Sequence, residues 1–336
     1  MIDWTLAGTV ARGIAGLAPA GDPEPFEEVE GHALESERLV SAYTGLVAID
    51  PVPRAEALHR QGWIEANLQS LEAVLEPAAQ RLAGGLGPLG GVAGGLLAIE
   101  VGAVSGFLAG RVLGQYDFPV LDPAAPARLL FVAPNLAHAA RTLEADDEQL
   151  LRWVALHETT HALQFGGVPW LRPYLAETVT ELLGALQVDP RSLLRLPDIS
   201  DLRRLVEQVR EDGLAMVIVG PERKAVIDRV QAFMAVLEGY AEHVMDAVGA
   251  QVLPDLESLR SALERRRRDR SGLLRILERL IGMDLKLRQY ELGKAFCDEV
   301  VAAGGIEALN AVWRGPEAMP TLAELEDPAG WLRRAA

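Results

Sequence analysis

The most constraining feature of this sequence is an apolar run that carries two histidines one helical turn apart. Residues 150–165 read LLRWVALHETTHALQF, with apolar side chains at helical spacing. His157 and His161 are four positions apart, so both rings project from one face of the predicted helix. Because a largely apolar helix would not bury two histidines and a glutamate without partners, the run predicts a shared metal ion.

Glu158 follows the first histidine and lies on the adjoining edge of the same turn. Its carboxylate should reach a water molecule beside the metal ion rather than the ion itself, which is the position of a general base. A catalytic zinc site has three protein ligands and keeps one position open. The spacing therefore predicts Zn²⁺ as cofactor, and it requires a third ligand elsewhere in the chain.

A later helical segment supplies the best candidates for the third ligand. Glu238, Glu242 and Asp246 form an acidic stripe at four-residue spacing, and the surrounding residues are mostly apolar. Either Glu238 or Glu242 could bind the metal ion, with the next carboxylate accepting a hydrogen bond from a ligand histidine. Glu177 and Glu181 are weaker candidates, since we expect solvent around them.

The composition restricts the class of protein. A net charge of −16 argues against binding to nucleic acid, and the single cysteine excludes an internal disulfide. The start of the chain has no secretory-signal pattern. The apolar segment Leu82–Gly114 is interrupted by Pro88, glycine pairs and Glu100, so we expect a closely packed small-residue helix rather than a membrane span. These features favour a soluble, cytoplasmic protein.

The sequence predicts a mainly α fold with a small β element. Residues 129–132 are the best strand candidate, and residues 116–119 are expected to form a turn. Asp146 or Asp147 should cap the helix that carries the histidines. The whole chain, 1–336, is expected to form one unit, in which two lobes divided near residue 145 could surround a cleft.

The histidine motif together with Glu238-Gly239-Tyr240-Ala241 resembles the gluzincin pattern of zinc peptidases. In that pattern the ligand glutamate often opens a Glu-Gly-aromatic-Ala run. The resemblance implies that Glu238 is the third ligand and that Glu242, with Asp246 beyond it, belongs to the outer shell of the site. The distance along the chain is longer here than in gluzincins, so this resemblance covers the site alone.

Six segments spread over most of the chain carry a second resemblance: WIEAN (63–67), LGQYD (113–117), WVALHE (153–158), PWL (169–171), KLRQY (286–290) and DPAGW (327–331). This second resemblance is to a zincin-like hydrolase family of bacteria. It implies a mainly helical zincin-like fold and a metallopeptidase-like activity, but it supplies no substrate. Some family members are associated with deazaflavin coenzyme biosynthesis through gene neighbourhood alone.

These patterns favour a zinc metallopeptidase acting on a peptide or small amide. Tyr240, His243 and Tyr290 are candidates for donating a hydrogen bond to the oxyanion of the tetrahedral intermediate. One alternative is a zinc hydrolase of a small amide or ester, and another is a non-catalytic, zinc-stabilised interaction protein. An accessible strand edge would favour the peptidase, and a narrow closed cleft the small-substrate enzyme. The sequence leaves the oligomeric state open.

Overall fold

The structure is a computed structural model, and it describes residues 1–18, 28–86, 90–185, 224–268 and 283–335. Most of these residues are helical, so the predicted mainly α class with a small β element is confirmed. Two helices are irregular, since α3 contains Pro77 and α10 is kinked at Gly305, where φ is 77°. The described helices are α1 (Trp4–Ala15), α2 (Val29–Thr44), α3 (Arg60–Leu86), α4 (Gly90–Ala109), α5 (Ala133–Leu143), α6 (Asp147–Gly167), α7 (Leu171–Ala185), α8 (Lys224–Val252), α9 (Leu256–Arg268), α10 (Met283–Leu309), α11 (Leu322–Leu325) and α12 (Pro328–Ala335), with 3₁₀ turns at Asn310–Trp313 and Pro316–Ala318.

A three-stranded sheet has the order β1–β3–β2, formed by Ala55–Leu58, Arg128–Val132 and Gly114–Asp117 respectively. β1 pairs parallel with β3, and β2 pairs antiparallel with it. The strand predicted at 129–132 is confirmed, and all four of its residues are buried. The turn predicted at 116–119 is wrong at its start, since Tyr116 and Asp117 belong to β2. This four-residue strand is too short and too polar to show a period, and it is stabilised by its pairing with β3.

The chain divides into two compact units, which are described separately. The first consists of Met1–Ala176 and Val244–Glu264. Its core lies where α2, α5 and α6 meet the sheet. A second cluster joins α1 and α3 to the end of β3. Buried members of these two clusters include Leu129, Phe131, Leu136, Leu150 and Val154 in the first, and Trp63, Ile64 and Val132 in the second.

The apolar helix α4 packs closely against α1. A Cβ atom at Gly102 or Gly106 would collide with the backbone of α1, and one at Gly94 with the backbone of Met1 just before α1, so glycine is what permits this approach. The predicted close packing of a small-residue helix is therefore confirmed. Among the described helices, α4 is also the one that is long and apolar enough to cross a membrane by length and composition. Val92 and Leu96 are exposed on it.

The second unit consists of Glu177–His243 and Arg265–Ala336. In it, Gly239 of α8 meets Gly293 of α10 at a close backbone contact. The chain then folds back on α10, where the Trp331 ring lies 5.2 Å from the Phe296 ring and both side chains are fully buried. The Trp331 indole N–H donates to the carbonyl of Ala318 (2.8 Å), which fixes the final helix.

Candidate metal centre

Helix α6 is well defined at its start. The Asp146 side chain accepts a hydrogen bond from the backbone N–H of Gln149 (2.9 Å), which confirms Asp146 as the N-cap. Asp147 and Glu148 follow in the first turn, where negative charge suits the helix dipole. The helix is continuous from this cap to Gly167, so the histidines are held on a rigid element in the middle of it.

The two histidine rings of α6 converge on one point. The Nε2 atoms of His157 and His161 are 3.2 Å apart, and the rings are almost perpendicular, at 85°. Two nitrogen ligands at about 2.0–2.1 Å from a tetrahedral zinc ion would be separated by about 3.3–3.4 Å. The observed separation fits this requirement without any rearrangement of the side chains. The predicted pairing of these histidines on one helix face is thus present in the structure.

The other ring nitrogen of each histidine has a neighbour of its own. His161 Nδ1 lies 2.8 Å from the side-chain oxygen of Gln164, a fully buried residue one turn further along α6. An amide oxygen can only accept, so this contact assigns the proton to Nδ1 and leaves Nε2 as the ligand atom. His157 Nδ1 lies 3.2 Å from the sulfur of Met245 on α8. Both histidines are therefore oriented through Nδ1.

Glu238 of α8 completes a group that could hold a metal ion. One ligand atom from each of His157, His161 and Glu238 lies within 4.8 Å of the other two. The geometry of α8 agrees with this, because Met245 follows Glu238 by seven residues and so lies on nearly the same helix face. Two imidazoles and one carboxylate are a common ligand set of catalytic zinc sites, so the residues fit the metal.

Glu158 is buried beside the histidine pair, with an exposed fraction of 7%. Its Oε2 atom accepts a hydrogen bond from the backbone N–H of Tyr116 on β2 (2.8 Å). Val154, one turn earlier on α6, also packs against this strand, at Gly114. A buried carboxylate is expensive unless hydrogen-bonded, and the strand supplies such a bond. The Glu158 carboxylate thus lies on the helix turn that carries the two histidines, although it is not one of the three grouped residues.

Comparison with known proteins agrees with this geometry. The model of a family described as zincin-like metallopeptidase matches residues 2–332. The chain belongs to this zincin-like family. A crystal structure of a candidate hydrolase with a novel fold from Chloroflexus aurantiacus is 34% identical, with a TM-score of 0.72, covering 99% of this chain and 98% of that chain. No curated protein matches the chain.

Of the candidates for oxyanion donor in this zincin-like chain, Tyr240 is fully buried and its hydroxyl donates to Asn310 (2.8 Å). His243 Nδ1 lies 2.7 Å from Asp298, which also pairs with Lys294. At 3.6 residues per turn, Tyr240 projects roughly 160° and His243 roughly 140° around α8 from Glu238. Both therefore face away from the helix stripe that carries Glu238. Tyr290 lies on α10, and its side chain is outside the described part of the chain.

The two residues predicted for the outer shell lie on α8 after Glu238. Glu242 is half-buried and follows Glu238 by one turn. Asp246 forms an ion pair with Arg260 of α9, with 2.7 Å between Oδ2 and Nη1. The partners seen at the histidine Nδ1 atoms are Gln164 and Met245, which were not predicted. Gln164 could have been suspected, because it is a polar residue in an apolar run three positions after His161.

Proposed function

We propose that this chain is a zinc-dependent hydrolase that cleaves a peptide or amide bond. His157, His161 and Glu238 would hold the zinc ion, and Glu158 would act as general base. The observation that carries this proposal is the convergence of the two Nε2 atoms, 3.2 Å apart, on a helix turn that also buries Glu158. Membership of the zincin-like metallopeptidase family supports the same reaction class.

When bound, zinc would supply Lewis-acid chemistry, polarising the scissile carbonyl and making water more acidic. The residues of the chain would then move the proton. Glu158 Oε2 accepts from the Tyr116 amide, so we assign proton transfer to Oε1. This atom would take a proton from the attacking water and deliver it to the leaving nitrogen. Oriented by Gln164, the His161 ring would keep its Nδ1 proton throughout.

Stabilising the oxyanion requires a donor in addition to the metal ion. Tyr240, His243 and Tyr290 stay our candidates for this role. Use of the Tyr240 hydroxyl would require its bond to Asn310 to break, whereas His243 is already oriented by the Asp298 carboxylate. Because both side chains project away from the stripe of α8 that carries Glu238, we prefer neither of them over Tyr290.

One observation favours the alternative, a hydrolase of a small amide or ester. β2 is an outer strand of the described sheet, and an extended peptide could in principle pair with its edge. The Tyr116 amide, however, already donates to Glu158, so it is not available to a peptide backbone while that bond persists. The third alternative, a purely structural zinc site, gives no reason for a buried carboxylate next to the ligands, because such sites usually close with four protein ligands.

Metal analysis combined with a general-base variant tests the proposal. Native protein purified without chelator should contain about one zinc per chain, because the described residues offer one ligand group. His157→Ala and His161→Ala should lose this metal. Glu158→Gln should retain it and abolish hydrolysis of a peptide library and of a panel of small amides and esters.

Glu177→Gln is the matched control, because Glu177 is an exposed glutamate on α7. It should change neither metal content nor hydrolysis. Native protein without zinc, or a Glu158→Gln variant as active as the native protein, would refute the proposed function. Cleavage of the small amides alone would select the small-substrate alternative.

A further inference from the structure

We propose that the β2 segment Gly114–Tyr116 is a positioning element that sets the side chain of Glu158 in its working orientation. The inference rests on the proposed function, since it assigns a purpose to the orientation of the general base. It extends that function to residues that are neither metal ligands nor general base. Three separate contacts of this strand carry the argument.

The first contact is made possible by the missing side chain of Gly114. A Cβ atom at this position would lie 2.7 Å from Glu158 Cγ and 2.8 Å from Val154 Cγ1. Real Cβ atoms essentially never approach other heavy atoms within 3.0 Å, so any other residue would displace the strand or the glutamate. Glycine at 114 therefore allows the backbone of β2 to lie directly against the stem of Glu158.

The second contact fixes the far end of the same side chain. β2 and β3 pair antiparallel, and the backbone N–H of Val132 donates to the carbonyl of Leu113. Hydrogen-bonded pairs alternate along such a ladder, so the backbone N–H and C=O of Tyr116 point away from β3. The Tyr116 N–H donates instead to Glu158 Oε2 (2.8 Å). A hydrogen bond to a carboxylate is stronger than one between neutral groups. The strand thus holds the stem of Glu158 at Gly114 and its carboxylate at Tyr116.

The third contact anchors the strand from its opposite face. The Gln115 side-chain oxygen accepts from the Trp63 indole N–H (2.7 Å), and its nitrogen donates to Asn67 (3.1 Å) and Asp117 (2.9 Å). The oxygen and the nitrogen of this amide both have partners, and two of these partners, Trp63 and Asn67, belong to α3. A fully connected network of this kind restricts movement of the strand. Gln115 therefore keeps β2 in the register that presents the Tyr116 amide to Glu158.

Among the described contacts, those at the Nδ1 atoms of the ligand histidines come from Gln164 and Met245 and not from the strand. Disturbing β2 should consequently misplace Glu158 while the zinc ligands stay in place. A displacement of about 1 Å in a catalytic group can reduce the rate by about 10²-fold. We expect Gly114→Ala to lower kcat by about this factor, with little change in KM or zinc affinity.

Amide hydrogen exchange tests the positioning directly and requires no substrate. The chain has five tyrosines, so selective ¹⁵N-tyrosine labelling gives five amide signals, and Tyr116→Phe identifies the one at position 116. A charge-assisted hydrogen bond contributes about 1.5–3 kcal/mol, so its loss should speed exchange at Tyr116 by at least about 10-fold. Glu158→Ala and Gly114→Ala should both produce this change, and Gln115→Leu should produce it with Glu158 intact.

The buried Tyr240 amide reports global unfolding, so exchange at Tyr116 should accelerate more than exchange at Tyr240 in all three variants. Gly13→Ala is the matched control, because a Cβ atom there meets nothing within 4 Å. Unchanged exchange at Tyr116 in Glu158→Ala overturns the proposal, even if Gly114→Ala does not fold. Loss of zinc in a folded Gly114→Ala variant also overturns it. Native protein without zinc or activity would refute the proposed function instead, and the exchange result would still decide whether β2 holds Glu158.

Discussion

Replacement of Gly239 by alanine should destabilise the protein, although the same change in an ordinary helix is stabilising. Alanine is favoured over glycine in helix interiors by about 0.8–1 kcal/mol. At Gly239, however, the added Cβ atom would collide with the backbone of Gly293 and lie 2.6 Å from the nitrogen of Lys294. The obstacle is the backbone of α10, which cannot rotate out of the way as a long side chain can.

The size of the effect follows from the distance. Carbon atoms pack best at about 3.5–4.0 Å, so α8 and α10 would have to separate locally by about 1 Å to admit the methyl group. Overpacking of this kind costs about 1–3 kcal/mol, and a backbone obstacle places the cost at the upper end. After the helix-propensity gain is subtracted, we expect a net loss of about 2 kcal/mol, which corresponds to a fall in Tm of about 4–8 °C.

Thermal and urea denaturation of the metal-free protein would measure this loss without any contribution from zinc. Gly184→Ala is the matched control, since Gly184 is an exposed residue of α7 with nothing within 4 Å of an added Cβ atom. That variant should be as stable as the native protein or slightly more so. Equal stability of Gly239→Ala and Gly184→Ala would show that the close contact with Gly293 does not exist.

Three further predictions concern pH and solubility. Burial raises the pKa of Asp117 despite the hydrogen bond from Gln115 and the nearby Arg128, so the charged carboxylate destabilises the fold at pH values above that pKa. Asp117→Asn should therefore raise Tm at pH 7.5, and the gain should shrink as the pH falls to 4. Burial alone would raise the pKa of Asp298, but the hydrogen bonds from His243 and Lys294 outweigh burial and lower it, so the charged carboxylate stabilises the fold. Asp298→Asn should therefore reduce Tm at pH 7.5, and the difference in Tm between variant and native protein should disappear in acid. A rise for Asp298→Asn, or a fall for Asp117→Asn, would contradict these signs. Finally, because α4 packs on α1 through its glycines, we propose that the protein needs no membrane; recovery from membranes only with detergent would contradict this.

The sequence was sufficient to predict the helix of the histidines, its cap and the central strand. In α6 the apolar residues recur over 16 positions, and Asp146 lies four residues before the first of them, so both the period and the start are local signals. Residues 129–132 of β3 are predictable as a strand because all four are apolar and buried. These elements depend on patterns that a few neighbouring residues contain.

The position of Glu158 against β2 could not be predicted in the same way. Gly114 and Tyr116 are separated from Glu158 by more than 40 residues, and the hydrogen bond uses a backbone N–H, which every residue except proline possesses. Side-chain identity at Tyr116 therefore carries no signal of that bond. In the sequence, the segment 113–117 is distinguished only by a family resemblance, and its polar residues 116 and 117 predict a turn rather than a strand.

In the run Glu238-Gly239-Tyr240-Ala241, each residue satisfies a different structural or chemical requirement. Successive residues of a helix project about 100° apart, so these four side chains point in four directions. Glu238 belongs to the group that could hold a metal ion, and Gly239 permits the close contact with α10. Tyr240 is fixed by Asn310 through its hydroxyl and by the Trp313 ring at 5.1 Å, while Ala241 is fully buried. Only the first of the four positions therefore needs a chemical explanation. The other three hold α8 in place, which is what keeps the Glu238 carboxylate in a defined position.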